Sequence, residues 1–429
     1  MEWHRQLALV FLALVVVLHP RVRRAPLLSE SVSSEVNPWK VSGGSTIDYD
    51  RIIRQFGCKE LNPPLLKRME EVTKLKLPPF LRRGFGVSHR DLDKLLNQYE
   101  KGSNFYVYTG RGASSQSMHL GHLLPFLLTK WLQEAFNAFV VIQLTDDEKY
   151  LWKDLSLPQA QTLAWENIKD IIALGFDPER TVIFRNTDQI ATLYPNALRI
   201  QKHITLNQVS ATLGLNGSDS IGKFAFPALQ VAPAFASTYP ASIQKKISSM
   251  GSSKEAPPPL SNKADPLPLC LVPCAVDQDP FFRLARDIAH VLDAPKPVLL
   301  HTRFLPSLRG IGSKASSSEN NSCIFLSDSP ETLKSKMNRY AFSGGQATAK
   351  LQRELGADTS VDIAYQYLRY FHPNDTQVKL LGEQYKNGEI LSGQIKQEAI
   401  RVLSGILSEF QRKRARVSDQ DVLKFMRFE

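Results

Sequence analysis

The chain has 429 residues, of which 43% are hydrophobic and 22% charged. This composition is typical of a globular protein of two or three domains and excludes a low-complexity or fibrous chain. The formal net charge of +11 favours a polyanionic partner such as a nucleic acid. Cys270 and Cys274 have no second cysteine pair or HxxxH motif nearby, so we expect neither a disulfide framework nor a metal site. The pattern suits a reducing compartment.

The N-terminal 40 residues contain an uninterrupted apolar run, Leu7–Leu18. This run is short for a membrane span and has the length of a signal-peptide core. It predicts a leader for the secretory route or an organelle, a membrane anchor, or a mis-assigned start codon. Membrane contact is expected only if the run is retained. We set residues 1–40 aside as a leader and expect the rest of the chain in the cytoplasm.

The remaining chain changes its hydrophobic pattern near residue 101. Residues 41–100 are short, charged and amphipathic, and they predict an N-terminal helical extension. Residues 101–326 alternate between strand and helix patterns and predict a catalytic domain. The predicted strands are Phe105–Thr109, Ala138–Leu144, Thr181–Asn186 and Leu269–Ala275. A helical pattern follows the first, second and fourth of these strands, which predicts an α/β fold with a Rossmann-like, doubly wound parallel sheet.

Two segments differ from this alternation. Residues 236–268 are rich in Ser, Pro and Lys and predict a long flexible insertion. Residues 327–429 show helical periodicity to the end and predict a second, all-helical domain. This domain carries a basic run, Arg412 to Arg416, which either contacts RNA phosphates or forms a solvated helix face.

The stretch GRGASSQSMHLGH, from Gly110 to His122, follows the first predicted strand and precedes a helix. A strand–turn–helix corner of this kind binds phosphates, because the free N–H groups and the dipole of the helix favour negative charge. His119 and His122 are three residues apart and share a helix face, where both imidazoles can donate hydrogen bonds to phosphoryl oxygens. Gly121 between them leaves room for a flat ring. The alternative is two histidines that are exposed at the surface or merely satisfied in the core.

A second candidate is the loop GSKASSS, Gly312 to Ser318. Its single cation, Lys314, and its hydroxyl groups could close over a triphosphate and stabilise the pyrophosphate that leaves. Serine-rich loops with one lysine are common, so this motif indicates a nucleotide site only together with the histidine corner.

These motifs together resemble those of the eukaryotic-type tryptophanyl-tRNA synthetases, a class I aminoacyl-tRNA synthetase family. The resemblance runs from about Ile47 to Phe425. The segments that carry it are GRGASSQSMHLGH, VIQLTDDEKYLWKD, IQKHITLNQV, IGKFAFPALQVAP, CAVDQDPFFRLARD, KPVLLHTRFLPSLRG and AFSGG. HxGH is the family's form of the class I HIGH signature, and KASSS lies where the family carries KMSAS.

The resemblance implies an ATP- and Mg²⁺-dependent tryptophan–tRNA ligase that forms tryptophanyl-adenylate and transfers tryptophan to tRNA(Trp). It also implies that the helical domain binds the anticodon and that the protein is a homodimer. The implied catalytic residues are His119, His122, Lys314, Ser316 and Ser318. The implied ATP-binding residues are Arg111, Gly112, His119, Gly121, His122, Asp277, Gln278 and Lys314.

The tryptophan pocket is carried over by position as Tyr108, Gln143, Glu148, Gln230 and Gln278. Indole needs an apolar slot and one acceptor for its N–H group. Glu148 or Tyr108 can supply this acceptor, and Gln143 and Gln230 can orient the zwitterion. Surface-exposed polar residues are the alternative for Gln143 and Glu148.

Two departures from the family pattern lie in the lysine loop, where Ala315 replaces methionine and Ser317 replaces alanine. They support a rival interpretation as a catalytically impaired paralogue with an interaction role. A tyrosyl-tRNA synthetase shares the fold and both signatures, but TDDEKYLWKD favours tryptophan. A small-molecule adenylyltransferase can also carry HxGH, but it needs no RNA-binding helical tail.

Overall fold

The computed structural model describes residues 35–36, 41–42, 47–251, 267–315 and 321–428. These described residues group into one compact unit. Its strands in chain order are β1 (Glu35–Val36), β2 (Val41–Ser42), β3 (Lys59–Glu60), β4 (Gly86–Arg90), β5 (Phe105–Arg111), β6 (Phe139–Leu144), β7 (Thr181–Arg185), β8 (Leu269–Ala275), β9 (Val298–Thr302), β10 (Pro306–Ser307) and β11 (Gly310–Lys314).

The central sheet has seven strands in the spatial order β3-β4-β9-β8-β5-β6-β7. The five strands from β9 to β7 are parallel, which confirms the predicted doubly wound sheet. β5 pairs with β6 on one side and with β8 on the other. The chain order therefore reverses at β5, and ligands of such sheets bind at the carboxyl ends of the strands beside this point.

The helices flank the sheet and then form the C-terminal region. They are α1 (Tyr49–Phe56), α2 (Pro63–Thr73), α3 (Pro79–Arg82), α4 (Leu92–Glu100), α5 (Leu120–Phe136), α6 (Asp146–Trp152), α7 (Leu157–Ala173), α8 (Ile190–His203), α9 (Leu206–Leu213), α10 (Ile221–Val231), α11 (Ala241–Ser248), α12 (Asp279–Ile288), α13 (Pro330–Tyr340), α14 (Ala349–Leu355), α15 (Ile363–Phe371), α16 (Asp375–Lys386), α17 (Ser392–Arg414) and α18 (Asp419–Phe425). Among the described residues, no strand lies between α13 and α18. This region is therefore all-helical, as the sequence predicts.

The sheet buries apolar side chains on both faces, as a parallel sheet covered by helices must. On β5, Phe105 and Val107 belong to one apolar cluster, and Tyr106 and Tyr108 belong to the other. The first cluster continues into the C-terminal helices, including Tyr367. The helical region is therefore packed against the sheet layer through a shared core, which fixes its position relative to the strand ends.

The N-terminal extension differs from the prediction because it contributes strands as well as helices. β3 and β4 join the sheet edge in antiparallel pairs next to β9. Arg90 at the end of β4 donates to Asp279 on α12 with its Nε at 2.7 Å and its Nη2 at 2.8 Å. Neither short strand has the long β-branched pattern that identified the four central strands, and β9 was also missed.

The predicted flexible insertion is partly wrong. Residues 236–251 include α11, whose Ile243 and Ile247 are fully buried. Residues 252–266, the remainder of the Ser- and Pro-rich stretch, lie outside the described residues. Ser, Pro and Lys at exposed positions concealed an amphipathic helix whose apolar residues are four apart.

Cys270 and Cys274 both lie on β8. Four residues of extended strand separate their Cα atoms by about 13 Å. This distance keeps the two thiols from sharing one metal ion through the CxxxC spacing.

Candidate active site

A cavity of about 320 Å³ opens at the carboxyl ends of β5 and β8, where the chain order reverses. Most of the predicted site residues line it. They are Tyr108, Arg111, Gly112, His119, Gly121, His122, Glu148, Gln230, Asp277, Gln278 and Lys314. The fold thus brings together side chains that are up to 206 positions apart in the sequence, from Tyr108 to Lys314 (314 minus 108).

The histidine corner folds as predicted, with His119 as the N-cap of α5. The Gly121 N–H donates to His119 Nδ1 at 3.0 Å, and the His119 N–H donates to His122 Nδ1 at 3.4 Å. Because each Nδ1 accepts a hydrogen bond, each ring carries its proton on Nε2. Burial, followed by the nearby Arg111 charge, lowers the pKa of His119 to about 3 and that of His122 well below its usual range. Both rings are therefore neutral hydrogen-bond donors at physiological pH.

Gly121 marks the contact between the two signature motifs. A side chain at this position would meet the His119 ring at 2.8 Å and Ala315 Cβ at 3.6 Å. Ala315 is itself buried and its N–H donates to Leu305 O at 3.1 Å. The lysine-bearing strand β11 therefore packs directly against the histidine turn.

Arg111 ends β5 and is buried beside this turn. Its Nε donates to Asn167 Oδ1 at 3.0 Å, but its Nη2 has no hydrogen-bond partner within the described residues. Burial lowers the pKa of Arg111 to about 10, so the group remains charged at neutral pH. A buried guanidinium with an unsatisfied N–H is costly, and an anion in the cavity would satisfy it.

Lys314 lies at the end of β11, which makes it part of a β-hairpin rather than of a loop. Its Nζ bonds Asp277 Oδ2 at 3.1 Å and stands 5.2 Å from the centre of the Phe304 ring. The other oxygen of Asp277 is buried and, among the residues described, unpartnered. Ser316 and Ser318 lie outside the described residues, so their predicted roles stay predictions.

The second half of the cavity has an aromatic wall beside one phenol. The Tyr108 O–H lies 2.6 Å from Gln143 Oε1 and 2.5 Å from Gln230 O. Both neighbours are acceptors, so the phenol must donate to one of them and its oxygen lone pairs remain available to accept. The Tyr108 ring packs edge-to-face on Phe282 at 6.0 Å. Tyr108 can therefore accept a hydrogen bond from a donor within an apolar slot.

Gln143 was predicted to touch the ligand, and in the structure it is fully buried beside Tyr108 and is not among the residues that line the cavity. Its Nε2 donates to Asn186 Oδ1 at 2.7 Å and to Leu229 O at 3.1 Å. Its Oε1 faces the Tyr108 hydroxyl, which borders the cavity, so the predicted contact of Gln143 with the ligand stays a prediction.

Glu148 lines the cavity as predicted, next to Lys149, which the prediction did not include. Glu148 Oε1 pairs with Lys149 Nζ at 2.6 Å, and Glu148 Oε2 accepts from Thr145 Oγ1 at 2.9 Å. The sequence signal for Lys149 was present in TDDEKY. The aromatic residues Phe226, Phe281 and Phe282, which complete the wall, lie in two of the segments that carry the resemblance.

We predict that Gly112→Ala disturbs this carboxylate. A Cβ at Gly112 would overlap Lys149 Cε and Glu148 Oε2, both ends of flexible side chains. The pair would have to move while the backbone stays, so we expect the KM for the amino acid substrate to rise about tenfold with an unchanged Tm. Gly405→Ala, where no atom lies within 4 Å of the new Cβ, is the control. An unchanged KM in Gly112→Ala would contradict the role of Glu148.

We also predict a pH dependence from Asp147. Burial raises the pKa of the Asp147 carboxyl to about 7. Hydrogen bonds from Asn186 Nδ2 and from the Glu148 N–H lower the pKa and so oppose part of this shift. An unfolded aspartate titrates near pH ~3.9, so the folded state binds the proton more tightly. The resulting stability is complete below pH ~4 and is lost as the pH rises through about 7.

Asp147→Asn removes this proton linkage. We expect the variant to have a higher Tm than the wild type at pH 8, by roughly 2–4 °C, and a flatter dependence of Tm on pH between about 4 and 7. Thermal unfolding in a pH series measures both. Parallel curves for the two proteins would show that Asp147 titrates normally.

Comparisons with known proteins agree with this geometry. The family described as tRNA synthetases class I (W and Y) matches residues 100–408. The chain is 43% identical to the cytoplasmic tryptophan–tRNA ligase of Homo sapiens over 95% of this chain and 83% of that protein. It is 46% identical to the Schizosaccharomyces pombe enzyme of the same name over 91% of this chain and 96% of that one. The crystal structure of Plasmodium falciparum tryptophanyl-tRNA synthetase superposes with a TM-score of 0.78 and 46% identity, covering 89% of this chain and 95% of that chain.

Proposed function

The chain belongs to the class I tRNA synthetases for tryptophan and tyrosine, and we propose that its cavity activates tryptophan with ATP and transfers it to the 3′ end of tRNA(Trp). The observation that carries this proposal is the division of one cavity into two chemically different halves. One half gathers Arg111, the two neutral histidines and Lys314. The other half is an aromatic slot with the Tyr108 oxygen and the Glu148 carboxylate as acceptors.

The cationic half fits a triphosphate. The unpaired Nη2 of Arg111 and the Nε2–H groups of His119 and His122 supply donors where negative charge develops on the phosphoryl oxygens. Neutral histidines can donate without a desolvated positive charge of their own. Lys314, released from Asp277, is placed to neutralise the departing pyrophosphate.

The aromatic half fits tryptophan. The indole N–H is a donor only, and the Tyr108 oxygen is left as an acceptor by its own bond to Gln143 or Gln230. The substrate carboxylate would then face the phosphate half and attack the α-phosphorus, which expels pyrophosphate. The adenylate passes its acyl group to a hydroxyl of the terminal ribose of the tRNA.

Mg²⁺ is expected to enter with ATP. Magnesium prefers oxygen ligands and is usually held by substrate phosphates and one or two carboxylates. Of the two cavity carboxylates named above, Glu148 has both oxygens engaged, whereas Asp277 has one unpartnered oxygen. Asp277 is thus the carboxylate that fits a phosphate-bound Mg²⁺, whose charge would stabilise the leaving pyrophosphate.

The helical region from α13 to α18 fits the anticodon-binding domain of the family, and we propose that it binds tRNA. The basic run at its end is only partly available for phosphates. Arg414 pairs with Glu166 and Asp170, and Lys413 pairs with Glu409. Arg412 and Arg416 are exposed and are the residues of this run that can contact RNA.

The test is ATP–pyrophosphate exchange by the full chain with tryptophan or with tyrosine. We expect exchange with tryptophan alone, followed by charging of tRNA(Trp). Exchange with tyrosine would favour the tyrosyl-tRNA synthetase alternative, which the relatives do not favour. Folded protein that binds ATP but exchanges with neither amino acid would support an impaired paralogue.

We further propose that the protein is a homodimer that associates through α8. Ile190, Tyr194 and Leu198 recur four residues apart on this helix and are 43%, 49% and 46% exposed. A continuous apolar stripe on a helix surface is typical of an interface. We expect Tyr194→Glu to yield a monomer in sedimentation, whereas Leu355→Glu, an exposed leucine on α14, should not. A dimer that persists in Tyr194→Glu places the interface elsewhere.

We propose that the enzyme acts in the cytoplasm, where its relatives are named to act. None of the helices in the described ranges is both long and apolar enough to cross a membrane. The apolar run Leu7–Leu18 lies outside those ranges, so the organelle, secretory and membrane-anchor alternatives stay predictions.

A further inference from the structure

Met118, the residue that precedes His119, is held from two sides by hydrogen-bonded residues that lead to a single turn of α17. The Met118 N–H donates to Asp170 Oδ2 at 3.0 Å. The Met118 carbonyl accepts from the Leu326 N–H at 2.8 Å. Met118 is fully buried, so neither backbone group has water as a substitute partner.

Arg414 supports the hydrogen bond to the Met118 N–H, because it holds Asp170. Its Nε donates to Asp170 Oδ1 at 2.8 Å, and its Nη2 donates to Glu166 Oε2 at 2.6 Å. Asp170 is 3% exposed, so its carboxylate depends on Arg414 and on the Met118 N–H for its charge to be stable. A guanidinium that spans two carboxylates fixes both the position and the orientation of Asp170.

Gln411 supports the hydrogen bond to the Met118 carbonyl, because it holds Leu326. Its Nε2 donates to Leu326 O at 2.8 Å and to Asp328 O at 3.0 Å. The Leu326 residue thus accepts from Gln411 with its carbonyl and donates to Met118 with its N–H. A displacement of Gln411 would therefore displace Met118 through Leu326.

Gln411 and Arg414 are three residues apart and lie on the same face of α17. This face therefore supports both polar groups of Met118, whose carbonyl also accepts from Ser117 Oγ at 3.2 Å. His119 follows directly, caps α5 and lines the cavity. Asn167 lies one turn before Asp170 on α7, and its Oδ1 accepts a hydrogen bond from Arg111 Nε at 3.0 Å. The contact between α7 and α17 therefore also supports the cavity arginine.

We propose that Gln411 and Arg414 are positioning residues for adenylate formation: through Leu326 and Asp170 they position the backbone of Met118, and with it the His119 ring, against the phosphates of ATP. This proposal rests on the proposed function. It also gives the helical region, which is the tRNA-binding candidate, a direct mechanical connection to the catalytic turn.

The test uses Gln411→Leu and Arg414→Lys in the full chain. Leucine keeps the volume of Gln411 without its donor, and lysine keeps the charge of Arg414 without its fork. The matched controls are Gln397→Leu and Arg401→Lys, both at exposed positions of α17. We expect each test variant to lower the kcat of tryptophan-dependent exchange by about tenfold and to leave the KM for tryptophan within about twofold.

The double variant separates a shared role from two independent ones. Because both residues hold the same residue, Met118, we expect the double variant to lose clearly less than the product of the two single effects, about thirtyfold rather than about a hundredfold. A merely structural role would lower Tm and raise the KM for tryptophan along with the fall in kcat, and activity would recover in a cooler assay.

Three results would overturn the inference. They are a kcat within about twofold of the wild type in both folded variants, an equal fall in the controls, or full recovery in the cooler assay. If the wild type itself shows no exchange, the proposed function fails and the positioning role fails with it. If the wild type exchanges and the variants match it, only the positioning role fails.

Discussion

Lys314→Ala is expected to slow tryptophanyl-adenylate formation by roughly two or more orders of magnitude while the Kd for tryptophan hardly changes. Lys314 is the cation of strand β11 in the phosphate half of the cavity. In the structure, its Nζ pairs with Asp277 Oδ2 at 3.1 Å. It lies away from the slot beside Tyr108, so the amino acid should bind normally. Pre-steady-state adenylate formation measures the rate, and equilibrium fluorescence titration measures the Kd.

Lys223→Ala is the matched control for this change. Lys223 also pairs with an aspartate, Asp219 at 2.9 Å, and stands 5.5 Å from the centre of the Trp152 ring, but it does not line the cavity. Exchange by Lys314→Ala at the wild-type rate would refute the role of Lys314. An equal loss in Lys223→Ala would show that any lysine–aspartate pair of this kind matters for folding.

Tyr108→Phe is expected to lower kcat/KM for tryptophan on the order of a hundredfold, mainly through KM. The change keeps the ring that packs on Phe282 at 6.0 Å and removes only the hydroxyl. The substrate N–H would lose its acceptor in a desolvated slot, and whichever of Gln143 Oε1 and Gln230 O accepts from the phenol would lose its donor. Steady-state exchange as a function of tryptophan concentration measures the effect.

Tyr106→Phe provides a control on the same strand and the same face. Its hydroxyl also donates to a backbone carbonyl, Pro233 O at 3.0 Å, and it is also fully buried, but it does not line the cavity. Both variants should lose a similar amount of stability, about 1–3 kcal/mol, and only Tyr108→Phe should raise the KM for tryptophan. A raised KM in both would attribute the effect to packing of β5.

Where local sequence decides the structure, the predictions are accurate. β8 runs from Leu269 to Ala275 as predicted, because a short continuous apolar run is typical of a strand that is buried on both faces. The histidine corner also follows local rules, since a strand, a turn rich in Gly and Ser, and an apolar helix occur in that order. The motifs that carry the resemblance then assigned the chemistry, which the relatives support.

Short strands and helices with polar surfaces were missed for a physical reason. β4 spans five residues at the sheet edge and owes its existence to pairing with β9, more than 200 positions later. α11 was concealed by serines and lysines on its exposed face. In both cases a distant partner stabilises a segment whose own pattern is weak.

The sequence by itself therefore determined four parallel strands of the sheet, the helical C-terminal region and eleven of the residues around the cavity. Only the tertiary structure decided what those residues do to one another. Burial makes the two histidines neutral, leaves Arg111 Nη2 without a partner among the described residues and pairs Gln143 with Tyr108. These properties depend on desolvation and on hydrogen bonds between distant segments, and no spacing of residues along the chain encodes either of them.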